Sequence, residues 1–330
     1  MPANMLKLLG LLALLLGTLP ATACHKPSVL SEYPDTVTAT VDDPGSPSDI
    51  GVLPDGRYAY TANAGSQYVA VVDLVSLAVV QQVACSRNPY MLAVRPDGQY
   101  VYVTSELDDD VSVIRTSGNT VVKKIPVGAC PHRLCFSPDG SRCYTANQND
   151  STISVIQTSD NTVVASVRVG PTPRDVDCNG EYVYSANLDA TTLTKVRVAD
   201  NTVAGTIDLG FTAHRVRARP DGRYVYASEY WGSRIAVVRT ADDSVVATIE
   251  AGDEVTGMCF VNDGEYLFVA SACDGGSVLI VRTSDNTIVD DVSTGAGPIA
   301  VATPADNSFV ATADLDGQTV TVVSRSRHQQ

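Results

Sequence analysis

The sequence predicts an all-β chain closed into a seven-bladed β-propeller of four-stranded antiparallel blades. Three observations predict it. A short phrase returns at near-constant spacing, each return carries four strand signals, and the last, incomplete repeat finds its missing strand at the other end of the chain.

The phrase "DGRYAYTAN", residues 55–63, recurs as "DGQYVYVTS" from Asp97 and "DGSRCYTAN" from Asp139. It returns as "NGEYVYSAN" from Asn179, "DGRYVYASE" from Asp221 and "DGEYLFVAS" from Asp263. The turn glycines Gly56, Gly98, Gly140, Gly180, Gly222 and Gly264 are separated by 42, 42, 40, 42 and 42 residues. A degenerate seventh copy, "ADNSFVATAD" from Ala305, carries Asn307 in place of glycine, 43 residues further on. Periods of about 40 to 45 residues with four strands each mark a propeller.

The third copy shows the plan: "HRLCFS", the turn "PDGS", "RCYTAN", the loop "QNDST", "ISVIQT", the turn "SDN" and "TVVASVRVG". Glycine after aspartate supplies the positive φ of a tight turn, and Asp or Asn bonds back to nearby amides. The strands are rich in Val, Ile, Thr and Tyr, which suit a pleated, packed surface. Tyr60, Tyr102, Tyr144, Tyr184, Tyr226 and Phe268 stand four past each turn glycine, and Tyr58, Tyr100, Tyr182, Tyr224 and Tyr266 two past. A period of two puts both series on one face. The residues between them, Ala59, Val101, Cys143, Val183, Val225 and Leu267, make the other face apolar too. A strand apolar on both faces must be covered on both, which blades stacked around an axis achieve.

The last copy stops after its third strand, "QTVTVVS". At the other end "DTVTATV", Asp35–Val41, matches the outer strand "NTVVKKI", Asn119–Ile125, in spacing. The N-terminal strand is therefore expected to complete the last blade, with Thr36–Thr40 beside Thr319–Val323. No segment sustains a helical period, so residues 35–330 read as a single domain.

Ahead of it, "MLKLLGLLALLLGTLPATAC" has Lys7, a short apolar run and a small-residue exit. That is a secretory signal, residues 1–23, and is too short for a membrane span. Residues 24–34 read as a polar tether. The formal charge of −14 excludes nucleic acid as a partner, since phosphate backbones need a basic footprint. It also disfavours docking on anionic lipid, which leaves a covalent anchor as the route to a membrane. Beyond Cys24 there are seven cysteines: Cys85, Cys130, Cys135, Cys143, Cys178, Cys259 and Cys273. Cys135 and Cys143 straddle a hairpin turn and could meet across it, and Cys85 and Cys130 lie in successive loops of one face. Buried, unpaired thiols are the other reading. The absence of C-x-x-C leaves zinc-ribbon, thioredoxin-like and c-type haem sites without ligands.

The run "SPDGSRCYTAN…STISVIQTSDNTVVASVRVG" resembles the YVTN-type β-propeller repeat family, which includes YncE-like and surface-layer-type propellers. Its pattern, roughly "SPDGxxVYVTN…VSVIDTxTNTVVATIPVG", is met across about residues 35–324. Copies four and seven depart most, at "DCNGE" and "ADNS". Ala23 before Cys24 resembles a bacterial lipoprotein signal, with Ala21 where Leu is commonest, while "ATA" also suits ordinary signal cleavage. These resemblances imply a cell-envelope location, periplasmic or outer-surface, with Cys24 as the lipid anchor. They also imply a binding or scaffold role toward an envelope protein, a glycan or a small ligand.

By analogy with other propellers, function gathers on the face where each outer strand hands over to the next innermost strand. There the repeat aligns Ser48, Tyr90, His132, Arg174, His214, Thr256 and Ile299. Behind them stand Asp49, Met91, Arg133, Asp175, Arg215, Gly257 and Ala300. "PHRL" and "AHRV" repeat a His-Arg pair two blades apart, His132–Arg133 and His214–Arg215. Three uses compete: an anion held by Arg174 or Arg215, a transition metal on the histidines, or side chains lining a wet channel. Metal sites need three or four convergent ligands, so neither a metal nor a cofactor is expected. Tyr230 and Trp231, in the loop "EYWGS", are candidate recognition aromatics. Because seven-bladed lactonases share the architecture, the alternative is a lactonase-like hydrolase. His132 or His214 would then be general base, with Arg215 steadying negative charge. No nucleophile elbow or phosphate-cradling loop is present.

Overall fold

The computed structural model describes residues 33–272 and 275–325. The leader, Cys24, the tether up to residue 32, and Cys273 lie outside the described residues. Within them, 28 strands form seven four-stranded antiparallel sheets, with one 3-10 turn at Asn262–Gly264. No helix among the described residues is long and apolar enough to cross a membrane.

Each blade runs from the axis outwards, as in Pro131–Phe136, Arg142–Asn147, Thr152–Gln157 and Thr162–Arg168. The two middle strands are almost wholly buried because a neighbouring blade covers each face. The outer strands expose nearly everything except their penultimate residue. Val41, Val83, Ile125, Val167, Ile207, Ile249 and Val292 all turn inward, so one aliphatic side chain per blade fixes the register of an otherwise solvated strand.

The turn chemistry is that of the repeated phrase. Asp55 Oδ1 accepts the amide of Arg57, Asp97 that of Gln99 and Asp221 that of Arg223, each at 3.0 Å. The glycine between them has a φ near +71° in all three turns, where a side chain would be strained. The glycine ending the outer strand has a different cause. A Cβ on Gly170 would lie 2.4 Å from Asn187 Nδ2, so the asparagine needs that space.

The seam closes as expected. Thr36–Asp42 pairs antiparallel with Thr319–Ser324, with Thr36 opposite Ser324 and Asp42 opposite Thr319. This removes the open edge that exposes a sheet to aggregation. Just past the strand, fully buried Asp43 accepts Thr61 Oγ1 from the first blade, tying the seam to its neighbour. Both ends of the described chain emerge on the face of the Asp-Gly turns. Tyr33 packs 4.8 Å from Tyr266, and Arg325 Nη2 donates to Asn262 Oδ1 at 3.0 Å.

Neighbouring blades are also pinned by side chains. Tyr60 donates to Asn119, Tyr102 to Asn161 and Tyr226 to Asn286. Each asparagine sits at positive φ in the turn between third and outer strands of the next blade. Phe268, without a hydroxyl, faces the last blade, where the chain ends meet and no such turn exists. In blade five the asparagine is replaced by Asp243, which takes buried Lys195 Nζ at 2.7 Å.

Cys85, Cys130, Cys135, Cys143, Cys178 and Cys259 are all free thiols. The expected meeting of Cys135 with Cys143 does not occur. Cys135 stands opposite Tyr144 and Cys143 opposite Phe136, so the two thiols point to opposite faces and join different cores.

Candidate functional site

One backbone contact repeats around the handover face. The amide eight past the turn glycine donates to the carbonyl just before an innermost strand in five of the blades that carry that glycine, as in Glu106 to Asn88 at 3.3 Å, Leu188 to Thr172 at 2.9 Å and Tyr230 to Thr212 at 2.8 Å. The loop between second and third strands is thereby held against the start of its own blade's innermost strand. Glu106 and Tyr230 are brought over the axial mouth, beside the ring aligned from sequence.

At that mouth Tyr90, His132, Arg174, His214 and Tyr230 come together. Tyr90 meets the His132 ring edge-on at 4.8 Å, and Tyr230 meets the His214 ring at 5.4 Å. The Arg174 guanidinium lies 5.6 Å over the Tyr230 ring. His132 is 1% exposed, and the Arg174 backbone beside it is its one hydrogen-bonding neighbour among the described residues, with neither ring nitrogen in a well-formed bond. Its nearest carboxylate oxygen, on Glu106, is 3.9 Å from Nε2. His214 Nδ1 contacts the Val255 carbonyl at 3.3 Å. Burial, then the nearby positive charges of Arg174 and Arg215, hold both imidazoles well below their ordinary range. They are neutral near pH 7.

Arg174 differs from the other arginines of the innermost strands. Arg133 Nη1 is paired with Asp49 at 2.8 Å, Arg217 Nη1 with Asp175 at 3.0 Å, and Arg215 Nε donates to the Thr256 carbonyl at 2.6 Å. Arg174 has no acceptor among the described residues, and its Nε is buried without a partner. Glu106 and Glu254 lie close enough to feel its charge, but burial outweighs it and raises both carboxyls. Asn88 Nδ2 donates to Glu106 at 2.9 Å and fixes its direction.

Arg133 and Arg215 do not reach this cluster. They form a deeper layer across the axis, where both approach Met91 Sδ, at 3.7 Å and 3.9 Å. Burial pushes Arg215 down to about 10. Ser48 and Thr256, in the same repeat position as His132, spend their hydroxyls on carbonyls of the next blade, Tyr90 and Pro298. Trp231 projects from the rim, 72% exposed, with its ring 5.5 Å from that of Tyr230.

Sequence reading missed Glu106, Glu254 and Asn88. The available signal was that Glu106 holds the same repeat position as Tyr230, eight past the glycine. The acidic loop around it is self-contained: Asp108 pairs with Arg87, Asp109 accepts the Cys130 amide, and Asp110 accepts Ser86. No cluster of three or more His, Cys, Asp or Glu among the described residues is placed to hold a metal.

The profile of the YNCE-like beta-propeller family matches residues 31–308. Among solved structures, a chain of "Kuenenia stuttgartiensis Hydrazine Synthase" superposes with a TM-score of 0.75 at 23% identity, covering 87% of this chain and 97% of that one. At that identity the likeness concerns the fold alone. A search of curated protein sequences gives no match. With seven repeats, seven closed sheets and a profile match over most of its length, the chain belongs to the YncE-like β-propeller family.

Proposed function

We propose that this propeller is a binding module of the cell envelope whose handover-face mouth captures a carboxylate-bearing group of an envelope protein, a glycan or a small ligand. The observation that carries the reading is Arg174, a half-buried guanidinium with no protein acceptor. An arginine fork matches a carboxylate in two parallel hydrogen bonds, and leaving buried donors unmet is costly. His132, neutral, can add a further donor, while Tyr90 and Tyr230 wall the site with rings.

The same site suits a hydrolase poorly. A general base works best with a pKa near the operating pH, and both histidines are driven well below it. Arg215, the group expected to steady negative charge, is engaged below the mouth.

Export under the predicted signal, with Cys24 as lipid anchor, would tether the chain from the turn face, where Tyr33 lies. The mouth would then point away from the membrane, accessible to partners.

Trp231, the chain's one tryptophan, touches Tyr230 and so reports on the mouth. Acetate, benzoate and glucuronate should each be titrated while its emission is followed. A saturable change that Arg174→Ala removes is expected. No change with any of them, or an equal change in the variant, contradicts the reading. Turnover of lactones that His132→Ala abolishes would establish the hydrolase instead.

A further inference from the structure

The axis has a second mouth, on the face of the Asp-Gly turns, and the charge layer beneath the first site also reaches it. A cavity of about 270 Å³ opens there, lined by Val94, Pro96, Arg133, Phe136, Asp177 and Arg217, among others. Arg217 is only partly spent: Nε donates to the Met258 carbonyl at 2.8 Å and Nη1 to Asp175 at 3.0 Å. Arg133 commits Nη1 to Asp49 at 2.8 Å. The Nη2 group of neither arginine has an acceptor among the described residues, and both side chains keep some exposure, 17% for Arg133 and 12% for Arg217. Asp177, partly exposed on the cavity wall, accepts the Ala218 amide at 2.8 Å.

The charges balance around the axis. Arg133, Arg215 and Arg217 face Asp49, Asp175 and Asp177 in the axial layer, and the part of it that lines this cavity is Arg133 and Arg217 with Asp177, two donor groups beside one carboxyl. A ligand of either single sign would leave one partner unmatched in a confined space, which is unfavourable. A ligand with both signs satisfies each. Next to this cavity a second hollow of about 360 Å³ includes Pro54, Pro220, Phe260 and Pro304 in its lining, and shares Val94 and Pro96 with the first. The first cavity carries the arginines, and the second sets these apolar residues beside Arg95, Asp263, Thr303 and Asn307, so an apolar strip is available next to the charged groups, in a space of the size that small organic ligands occupy.

We propose that the turn-face mouth is a second binding site, for a free α-amino acid with an apolar side chain. Its carboxylate meets the Arg133 and Arg217 Nη2 edges, its ammonium meets Asp177, and its side chain lies in the proline-lined hollow. This site is independent of the Arg174 mouth.

Calorimetric titration of the mature chain carrying Arg174→Ala tests it, because carboxylates cannot then be counted at the other mouth. Leucine and phenylalanine should bind. 4-Methylpentanoate, which lacks the amine, and 3-methylbutylamine, which lacks the carboxylate, should bind at least tenfold more weakly. Asp177→Asn should weaken leucine at least tenfold and leave 4-methylpentanoate no weaker. Failure of both amino acids to bind, or equal binding of leucine and 4-methylpentanoate, overturns the proposal. The comparison of ligands on one protein stands even if Asp177→Asn fails to fold.

Discussion

Tyr226 Oη donates to Asn286 Oδ1 at 2.8 Å, from the second strand of one blade to the turn of the next. The pair links two halves of the repeated sequence, the aromatic phrase and the "DNT" turn, that serve no common purpose within a single blade. Tyr226→Phe should therefore cost about 1 kcal/mol, the usual net worth of a hydrogen bond, with the fold intact. Urea denaturation monitored by circular dichroism checks this, and an unchanged midpoint would remove the bond from the account.

The seam makes a larger demand. A chain beginning at Ser46 loses the strand Thr36–Asp42 and the inward-facing Val41. Burial of one valine accounts for about 2 kcal/mol, and Asp43 no longer links to Thr61. Thermal unfolding of that truncation should start well below that of the full chain and lose its sharpness. A melt matching the full chain would mean that the last blade closes without the strand.

The two classes of axial arginine separate on substitution. Arg174→Ala breaks no protein hydrogen bond, gives up the contact with the Tyr230 ring and removes a buried unmet donor, so it should destabilise by no more than about 1 kcal/mol. Arg215→Ala removes a side chain that is 4% exposed and bonded to the Thr256 carbonyl. It leaves buried carboxylates short of a counter-charge and should cost about 3 kcal/mol or more. Paired chemical denaturation curves decide the matter, and equal midpoints would contradict the distinction.

Mild acid should weaken the fold through its two buried histidines. His132 and His214 have folded pKa values below 6.5, so as pH falls through about 6.5 the unfolded chain takes up protons that the folded chain refuses. Stability present above that pH is lost below it, at a limit of about 1.4 kcal/mol per histidine per pH unit. Asp43, Asp110, Asp177, Asp314, Glu106 and Glu254, all raised by burial, give the opposite slope, since they hold their protons better when folded. The melting temperature should thus drop between pH 7 and pH 5, and a His132→Gln/His214→Gln chain should show a flatter profile. A wild-type melt that is constant or higher at pH 5 would contradict the buried, neutral imidazoles.

The fold was legible because a repeat multiplies weak signals. One Asp-Gly turn says little, but five and an Asn-Gly turn at near-equal spacing, with apolar residues on both strand faces, leave few architectures. The partner of Asp35–Val41 could be read for the same reason, since only one repeat lacked an outer strand. The site was legible in part. His132, Arg174 and His214 stand at one repeat position, and the propeller's symmetry turns equal positions into a ring. What symmetry does not give is how deep each side chain reaches. Arg133 and Arg215 follow the histidines by one residue, and strand alternation sends them to a lower layer. Glu106 was obscured by the acidic run that follows it, and Glu254 stands at a repeat position, just before an innermost strand, where no other blade carries an acid. The hairpin cysteines were misjudged by one residue of register, which in a strand reverses the face.

The most direct measurement is a crystal structure of the chain grown with benzoate. The account predicts the carboxylate on the Arg174 guanidinium, between His132 and His214, with the ring against Tyr90 or Tyr230. Density found elsewhere, with Arg174 turned onto Glu106 or Glu254, would contradict it.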